Sequence, residues 1–505
     1  MTVNAFHFSF VSVTLLVSLL LLLAARLITR YRRLSHIPGP FLAALTDLWR
    51  FYHQNQPHGL RTKLLALHSK HGPLVRYGVN SISISTPSAI PQIYGSRAGF
   101  VTADSYKVLV GISNGREVPS LVSTADEAKH GAFRRSIAST FTPAGVAPLE
   151  SRIDTTIREL HSHLVRLAKQ NQPIDLAHWT MLFSMDSAAR QAFSESRGYL
   201  SSGHDTDGTI ALIRARFYHW GRWSSWPSLE RLIYRNPISI LANPACATLF
   251  HHVFNNQTLT PRRPPAILHL RLRRAPEPPR QIRHYRLLMS TISGAGDTTA
   301  TTLTAIFYYL YTHHPALAAL RAELDAHTHT TNGGTYGGAG QFPRHSTLKD
   351  LPYLGAVIKE AMRLFSSATW PIERLVPEGD MFVDDIRIPA GTSVGVLPAA
   401  IHLDTHVYGA DAAYFRPERW LEANKEELRQ MEAAHMGFSR GRRACLGKEV
   451  ALMQMKMVVA MVVGQFELEI SDPNNAGLQA DFSAAVACMH PLWVRVRLRG
   501  STPQY

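Results

Sequence analysis

Residues 8–25 run without a single charge, rich in Leu and Val, and Arg26, Arg30, Arg32 and Arg33 come immediately after. That length lies near the lower limit for a helix crossing a bilayer. The basic cluster comes after the apolar run, whereas a cleavable leader carries it before. Positive charge there holds the downstream chain on the cytoplasmic side. Pro38-Gly39-Pro40 then breaks the chain as a stiff joint. Apolar positions recur at helical spacing over 58–71, and 74–79 and 81–85 read as two strands of a hairpin.

Further along, 97–125 is irregular and His130 to Arg135 opens a helical stretch. Residues 150–240 are mostly helical in pattern and display no chemistry. From Tyr285 to His314, Leu288, Ile292, Ala295, Thr299, Leu303, Ile306 and Leu310 mark one long helix, which Pro315 ends. The five glycines of 332–340 predict a mobile loop. A helix over 348–365, short strands through Val394, a helix over 448–465 and a hairpin over 482–499 complete the chain. The pattern predicts a mainly α fold with small β-sheets.

One stretch breaks the pattern. Residues 261–286 pack six prolines among eight arginines, and Glu277 is the only acid between Arg231 and Gly296. Proline at that density forbids a helix, so an exposed loop is expected, with helix resuming near Tyr285. A shifted reading frame would give the same composition. This stretch supplies +7 of the net charge of +16, which leaves +9 for the rest. Nucleic-acid binding is therefore set aside, since no basic stretch carries interleaved aromatics either.

The 505 residues, 45% of them hydrophobic, suffice for one large core. Three cysteines (Cys246, Cys445 and Cys488) are too few and too scattered for a disulfide framework. The pairs His251-His252 and His313-His314 lack metal-ligand spacing.

Chemistry concentrates in Phe438-Ser-Arg-Gly-Arg-Arg-Ala-Cys445-Leu-Gly447, which leads straight into the helix over 448–465. A thiol just before a helix start feels the positive end of the dipole, which favours thiolate. The glycines permit tight turns and close approach of a flat group, and the arginines suit its carboxylates. With Phe438, Gly441, Arg443, Cys445 and Gly447 in place, the chain resembles the cytochrome P-450 family of haem-thiolate monooxygenases. The resemblance implies the P-450 fold, with Cys445 as the haem iron ligand.

Three further motifs match that family in order. His130 and Arg134 stand where it has Trp-x-x-x-Arg facing a haem propionate, although a surface helix with its arginines in solvent would look the same. Gly294-Ala-Gly-Asp297-Thr298-Thr299 resembles the oxygen-binding helix, with Asp297 and Thr298 as the acid–alcohol pair. Here Ala295 stands where Gly is common, or one residue is missing before Asp297. Glu360, Arg363 and Arg419 match the Glu-x-x-Arg and Pro-Glu-Arg elements that lock the cysteine loop. By the same resemblance, 366–372 and 486–488 line the substrate pocket and 97–125 forms its lid. Cys488 reads as a small buried hydrophobe.

These readings imply a transmembrane anchor (1–28), a basic and proline-rich linker (29–60) and one monooxygenase domain (61–505, with 243–286 atypical). The implied protein is single-pass in the endoplasmic reticulum membrane, with a cytosolic catalytic domain. It would hold heme b and take electrons from NADPH through a separate NADPH-cytochrome P-450 reductase, facing it with Arg440, Arg442 and Lys448. Its substrate would be a lipophilic small molecule, of the secondary-metabolite kind handled by the fungal microsomal branch that includes pisatin demethylase and benzoate hydroxylase relatives. The alternatives are a haem-thiolate isomerase or dehydratase that needs no reductase, and an inactive binding-only relative.

Overall fold

The computed structural model describes residues 2–113, 116–242, 280–332, 342–471 and 477–500. Cys246, 261–279 and all of the glycine-rich stretch except Asn332 lie outside them. The architecture is helical with small sheets. Its centre is the helix Arg280–Thr312, packed along the almost wholly buried helix Leu176–Phe193. A hydroxyl pair, Thr180 and Thr304 at 2.8 Å, joins the two inside the core. Lys448–Gln465 is a third helix of this layer, and its Met and Val side chains fill the space beneath.

A second apolar cluster lies against a five-stranded sheet. In that sheet Ser81–Ile84 pairs antiparallel with Leu74–Gly78 and parallel with Ser393–Val396, Val394 opposite Ile82. The sheet continues through Arg374–Leu375 to Val101–Thr102. The region 97–125 is thus not wholly irregular, and it also holds a small hairpin of Gly111–Ser113 and Arg116–Val118.

Three boundaries differ from those the sequence pattern predicts. The central helix starts at Arg280, five residues before Tyr285, directly after the last proline of the run (Pro279). Helix is permitted as soon as proline stops removing backbone donors. The last strand, Trp493–Leu498, does not fold back on 482–489. It pairs with Phe466–Ile470, Leu468 opposite Val496, while Ala480–Asp481 pairs with Cys488–Met489. Alternation specifies a strand but not its partner.

The third difference is at the anchor. One helix runs Thr2–Arg33, and residues 13–30 are exposed throughout. Beyond it, Leu34, Ile37, Ala43 and Ala44 are buried, so the expected linker joins the packed domain from Leu34 on. Arg76 fixes this junction. Its guanidinium, 2% exposed, donates to the carbonyls of Tyr31 (2.9 Å) and Arg30 (3.1 Å), in the last turn of the anchor helix. It donates also to Ala44 and Val79 (3.2 and 2.8 Å). A cation at a helix C-terminus meets the negative end of the dipole and satisfies carbonyls that lack intrahelical partners. Gly39 is required beside it, since a Cβ there would lie 2.1 Å from the Arg76 carbonyl oxygen.

Arg76→Ala should therefore cost about 1–3 kcal/mol from unsatisfied carbonyls. It should also speed tryptic release of the anchor at Arg32 and Arg33. Thermal unfolding and digestion time courses of the membrane-bound protein test this, and unchanged cleavage would remove Arg76 from that role.

Candidate haem site

The cysteine loop is shaped by backbone constraints first. Gly441 adopts φ +67°, and a Cβ there would collide with the Tyr94 carbonyl oxygen at 1.6 Å, so only glycine fits. The Cys445 N–H donates to the Phe438 carbonyl (2.8 Å) and closes the turn. Gly447 is the N-cap of Lys448–Gln465, and its N–H points at the Cys445 thiol. Phe438 packs half-buried against the main core cluster.

Cys445 is exposed on its surface, yet protein encloses it closely enough that burial pushes its pKa up. The Gly447 N–H and the nearby Arg134 guanidinium oppose the shift without overcoming it. Desolvation thus works against the dipole argument from sequence, and a metal ion deprotonates a coordinating thiol outright.

Cations surround the loop. Arg134, on the helix Glu127–Ala138, donates to the Ala444 carbonyl at 2.8 Å. Arg443 pairs with Glu127 at 2.7 Å and donates to the Thr124 carbonyl at 2.8 Å, while its buried Nη1 has no partner. The same Glu127 takes Arg442 at 3.4 Å. His130 is 3% exposed, and burial and Arg443 lower its pKa to about 4. A neutral ring keeps one N–H to donate. Arg374, also buried, stands close enough to Arg443 to depress its pKa further. Of the three cations expected to face a reductase, Lys448 is exposed, Arg442 turns inward onto Glu127 and the Phe100 carbonyl, and Arg440 is partly buried.

The oxygen-helix motif separates into two faces. Thr298 donates its hydroxyl to the Gly294 carbonyl (2.6 Å), and a Cβ at Gly294 would meet nothing within 4 Å. On the opposite side Gly296 allows close approach of Leu176–Phe193, because a Cβ there would strike Met185 Sδ at 2.3 Å. Asp297 is 1% exposed and pairs with Arg214 at 3.3 Å, leaving Oδ2 without a partner. Burial raises its pKa, and Arg214 opposes. Asp297 and Thr298 are adjacent but make no direct hydrogen bond among the described residues. Arg214 comes from the helix Thr209–Trp223, part of a region where the sequence offered no chemistry.

Glu360, Arg363 and Arg419 do meet. The Glu360 carboxylate, wholly buried, accepts from Arg363 (2.7 and 2.9 Å), Arg419 Nε (2.9 Å), the Arg416 N–H (3.0 Å) and Trp420 Nε1 (2.9 Å). Asp411 takes Arg419 from the other side at 2.9 Å and Arg416 at 3.1 Å, so three cations face two acids. The expected pocket segments also meet: Ala368 bridges Val486, and Thr301 of the central helix donates to the Ala487 carbonyl at 3.0 Å. Cys488 is buried, its pKa pushed up to about 11, which fits a protonated packing residue.

A family model described as cytochrome P450 matches residues 38–488. The chain belongs to the cytochrome P450 family. A cytochrome P450 monooxygenase of Aspergillus terreus is 31% identical over 462 residues, covering 88% of this chain and 92% of the relative. Cytochrome P450 monooxygenase cicH of Emericella nidulans is 31% identical over 454 residues (87% and 89% covered), and pkfB of the same fungus 31% over 477 (91% of each). The chain spans 55% of mpaDE' of Penicillium brevicompactum. This P450 is thus a haem b monooxygenase, supplied with electrons from NADPH by a reductase. Its own residues fit that cofactor. The Cys445 thiol is a donor of the type that binds iron, and the cations gathered around Glu127, with Arg443 Nη1 unpaired, suit an anionic rim.

Two outcomes are expected. Cys445→Ser should lose the thiolate-type absorption band of the reduced carbon monoxide complex, whereas Cys488→Ser and Cys246→Ser keep it; a normal band in Cys445→Ser would exclude it as ligand. Glu360→Gln should destabilise by about 3–5 kcal/mol, because the buried Arg363 loses its counter-charge and Arg419 keeps only Asp411. The guanidinium groups hold the Glu360 pKa below its ordinary value, so its contribution is full above the unfolded pKa. That contribution fades as pH falls through the lowered folded value. Denaturant midpoints measured down the acid range should accordingly converge for wild type and variant.

Proposed function

We propose that this P450 inserts one oxygen atom from dioxygen into a lipophilic small molecule, an intermediate of fungal secondary metabolism, while held to the endoplasmic reticulum membrane by its N-terminal helix. The observation that carries the reading is an enclosed thiol ringed by cations, with an acid and an alcohol on the central helix. The fungal relatives and the exposed apolar anchor support the finer terms.

When bound, the haem supplies the redox chemistry that divides dioxygen between substrate and water. The chain's own part is to deliver two protons and keep bulk water out. Thr298 is placed for the last transfer: its hydroxyl, now given to the Gly294 carbonyl, lies beside the open face at Gly294 and can turn to hold a water. Asp297 stands behind it as the proton store. Its partner Arg214 is about one-third exposed (36% of the side chain) and gives the buried carboxylate a path to solvent. Water exclusion falls to the buried contacts of 366–372 with 484–488, where Thr369 donates to the Ala484 carbonyl (2.7 Å) and Trp370 packs edge-on to Trp220.

Thr298→Ala should bind haem and substrate yet release several-fold more peroxide per NADPH consumed, because proton delivery loses its last group. Peroxide, NADPH and product measured together test this. Unchanged coupling would show that Thr298 has no such part.

A further inference from the structure

His402 is fully buried at the end of the short helix Pro398–Ile401, far in sequence from the cysteine loop. It exchanges bonds with Arg363. Arg363 Nη1 donates to the His402 carbonyl at 2.6 Å, and the His402 ring meets the Arg363 carbonyl through Nδ1 at 2.9 Å. The other ring nitrogen, Nε2, accepts the Met436 N–H at 2.9 Å. These two ring contacts fix the tautomer: a nitrogen that accepts from an amide carries no proton, so Nδ1 bears it and donates. Burial holds the ring pKa well below its ordinary value, so the neutral form persists.

Each bond answers a need. The Arg363 carbonyl lies in the last turn of Pro352–Leu364, where carbonyls have no intrahelical donor. Met436 lies just past the end of Lys425–Ala434 and is 3% exposed, so its N–H must find a partner inside the protein. Two residues on, the Phe438 carbonyl receives the Cys445 N–H, and the Met436 carbonyl receives the Ser439 N–H. His435 stacks on the His402 ring (5.2 Å, 21°) and seals it from the other side. One imidazole therefore joins the buried Glu360 network to the peptide at which the cysteine turn begins.

We propose that His402 is a positioning residue for the haem thiolate: by accepting the Met436 N–H it transmits the order of the Glu360–Arg363–Arg419 network to the turn that presents Cys445. The inference rests on Cys445 being the iron ligand. His402→Gln sets a carbonyl oxygen near the Nε2 position and keeps the Met436 acceptor, while His402→Asn sets an amide near Nδ1, keeps the bond to Arg363 and releases Met436. Each variant retains one ring bond of two, and a loss of packing alone is read from the thermal midpoint and haem content.

The test uses full-length holoenzyme with haem content and thermal midpoint measured alongside the reduced carbon monoxide spectrum. His402→Asn should show a several-fold larger fraction of haem without the thiolate-type band, and His402→Gln a fraction close to wild type. Equal fractions in the two variants, or a fully thiolate His402→Asn, would overturn the proposal. If neither variant folds, hydrogen exchange in the wild-type holoenzyme decides. The Met436 amide should exchange as slowly as the core amides of Pro352–Leu364, and rapid exchange would overturn the proposal. A thiolate-type band in Cys445→Ser would instead remove the ligand assignment beneath it, an outcome separate from either result at His402.

Discussion

The carboxylate of Glu360 is the buried charge around which the backbone between 402 and 419 is ordered. Five donors converge on it with no solvent contact, three of them on two guanidinium groups. Desolvating such charges is costly, and the cost is met only while every partner stays in place. The cluster consequently behaves as one unit. Arg363 binds the carbonyls of His402 and Ala412, and Arg419 those of Asp411 and Tyr414, so irregular backbone between 402 and 419 is ordered by side chains in place of a sheet ladder. The cysteine turn adjoins that network through the His402–Met436 contact, and with Ser439 and Gly441 both at positive φ it has little helix or sheet order of its own.

What the sequence reveals of this arrangement is what is local. Lys448–Gln465 begins and ends where its pattern does, and the Glu360–Arg363 pair is legible because i and i+3 share a helix face. The cysteine turn carries its geometry in its own glycines. The contacts that escape are long-range and often use backbone as one partner. Arg214 reaches Asp297 across 83 positions, Glu127 reaches Arg443 across 316, and His402 reaches Met436 across 34. Arg76 is the clearest case, because its acceptors are carbonyls and no residue type marks them. Strand pairing escapes for the same reason: 493–498 alternates as a strand must, but its partner is chosen by the core beneath Phe466 and Val496.

Charge is distributed by purpose on this chain. Around the cysteine loop positive groups gather, and desolvation of Cys445 works against them by pushing its pKa up. What the structure shows them doing is fixing backbone: Arg134 holds the Ala444 carbonyl, and Arg443 holds that of Thr124. A loop that formed a permanent thiolate without metal would bury an uncompensated anion. A protonated thiol that yields its proton on metal binding avoids that cost.

The opposite balance serves Asp297. In the proposed relay a carboxylate must both gain and lose protons, so its pKa must lie above that of an ordinary surface acid. Burial supplies the upward shift, and Arg214 limits it from a side chain that is itself partly solvated. Were the ion pair dry and bidentate, as at Glu360, the acid would stay an anion and the relay would stall. A single contact at 3.3 Å, with Oδ2 left unbonded, leaves the proton exchangeable. Glu360 and Asp297, both buried, thus differ in the number of cations committed to each, two against one.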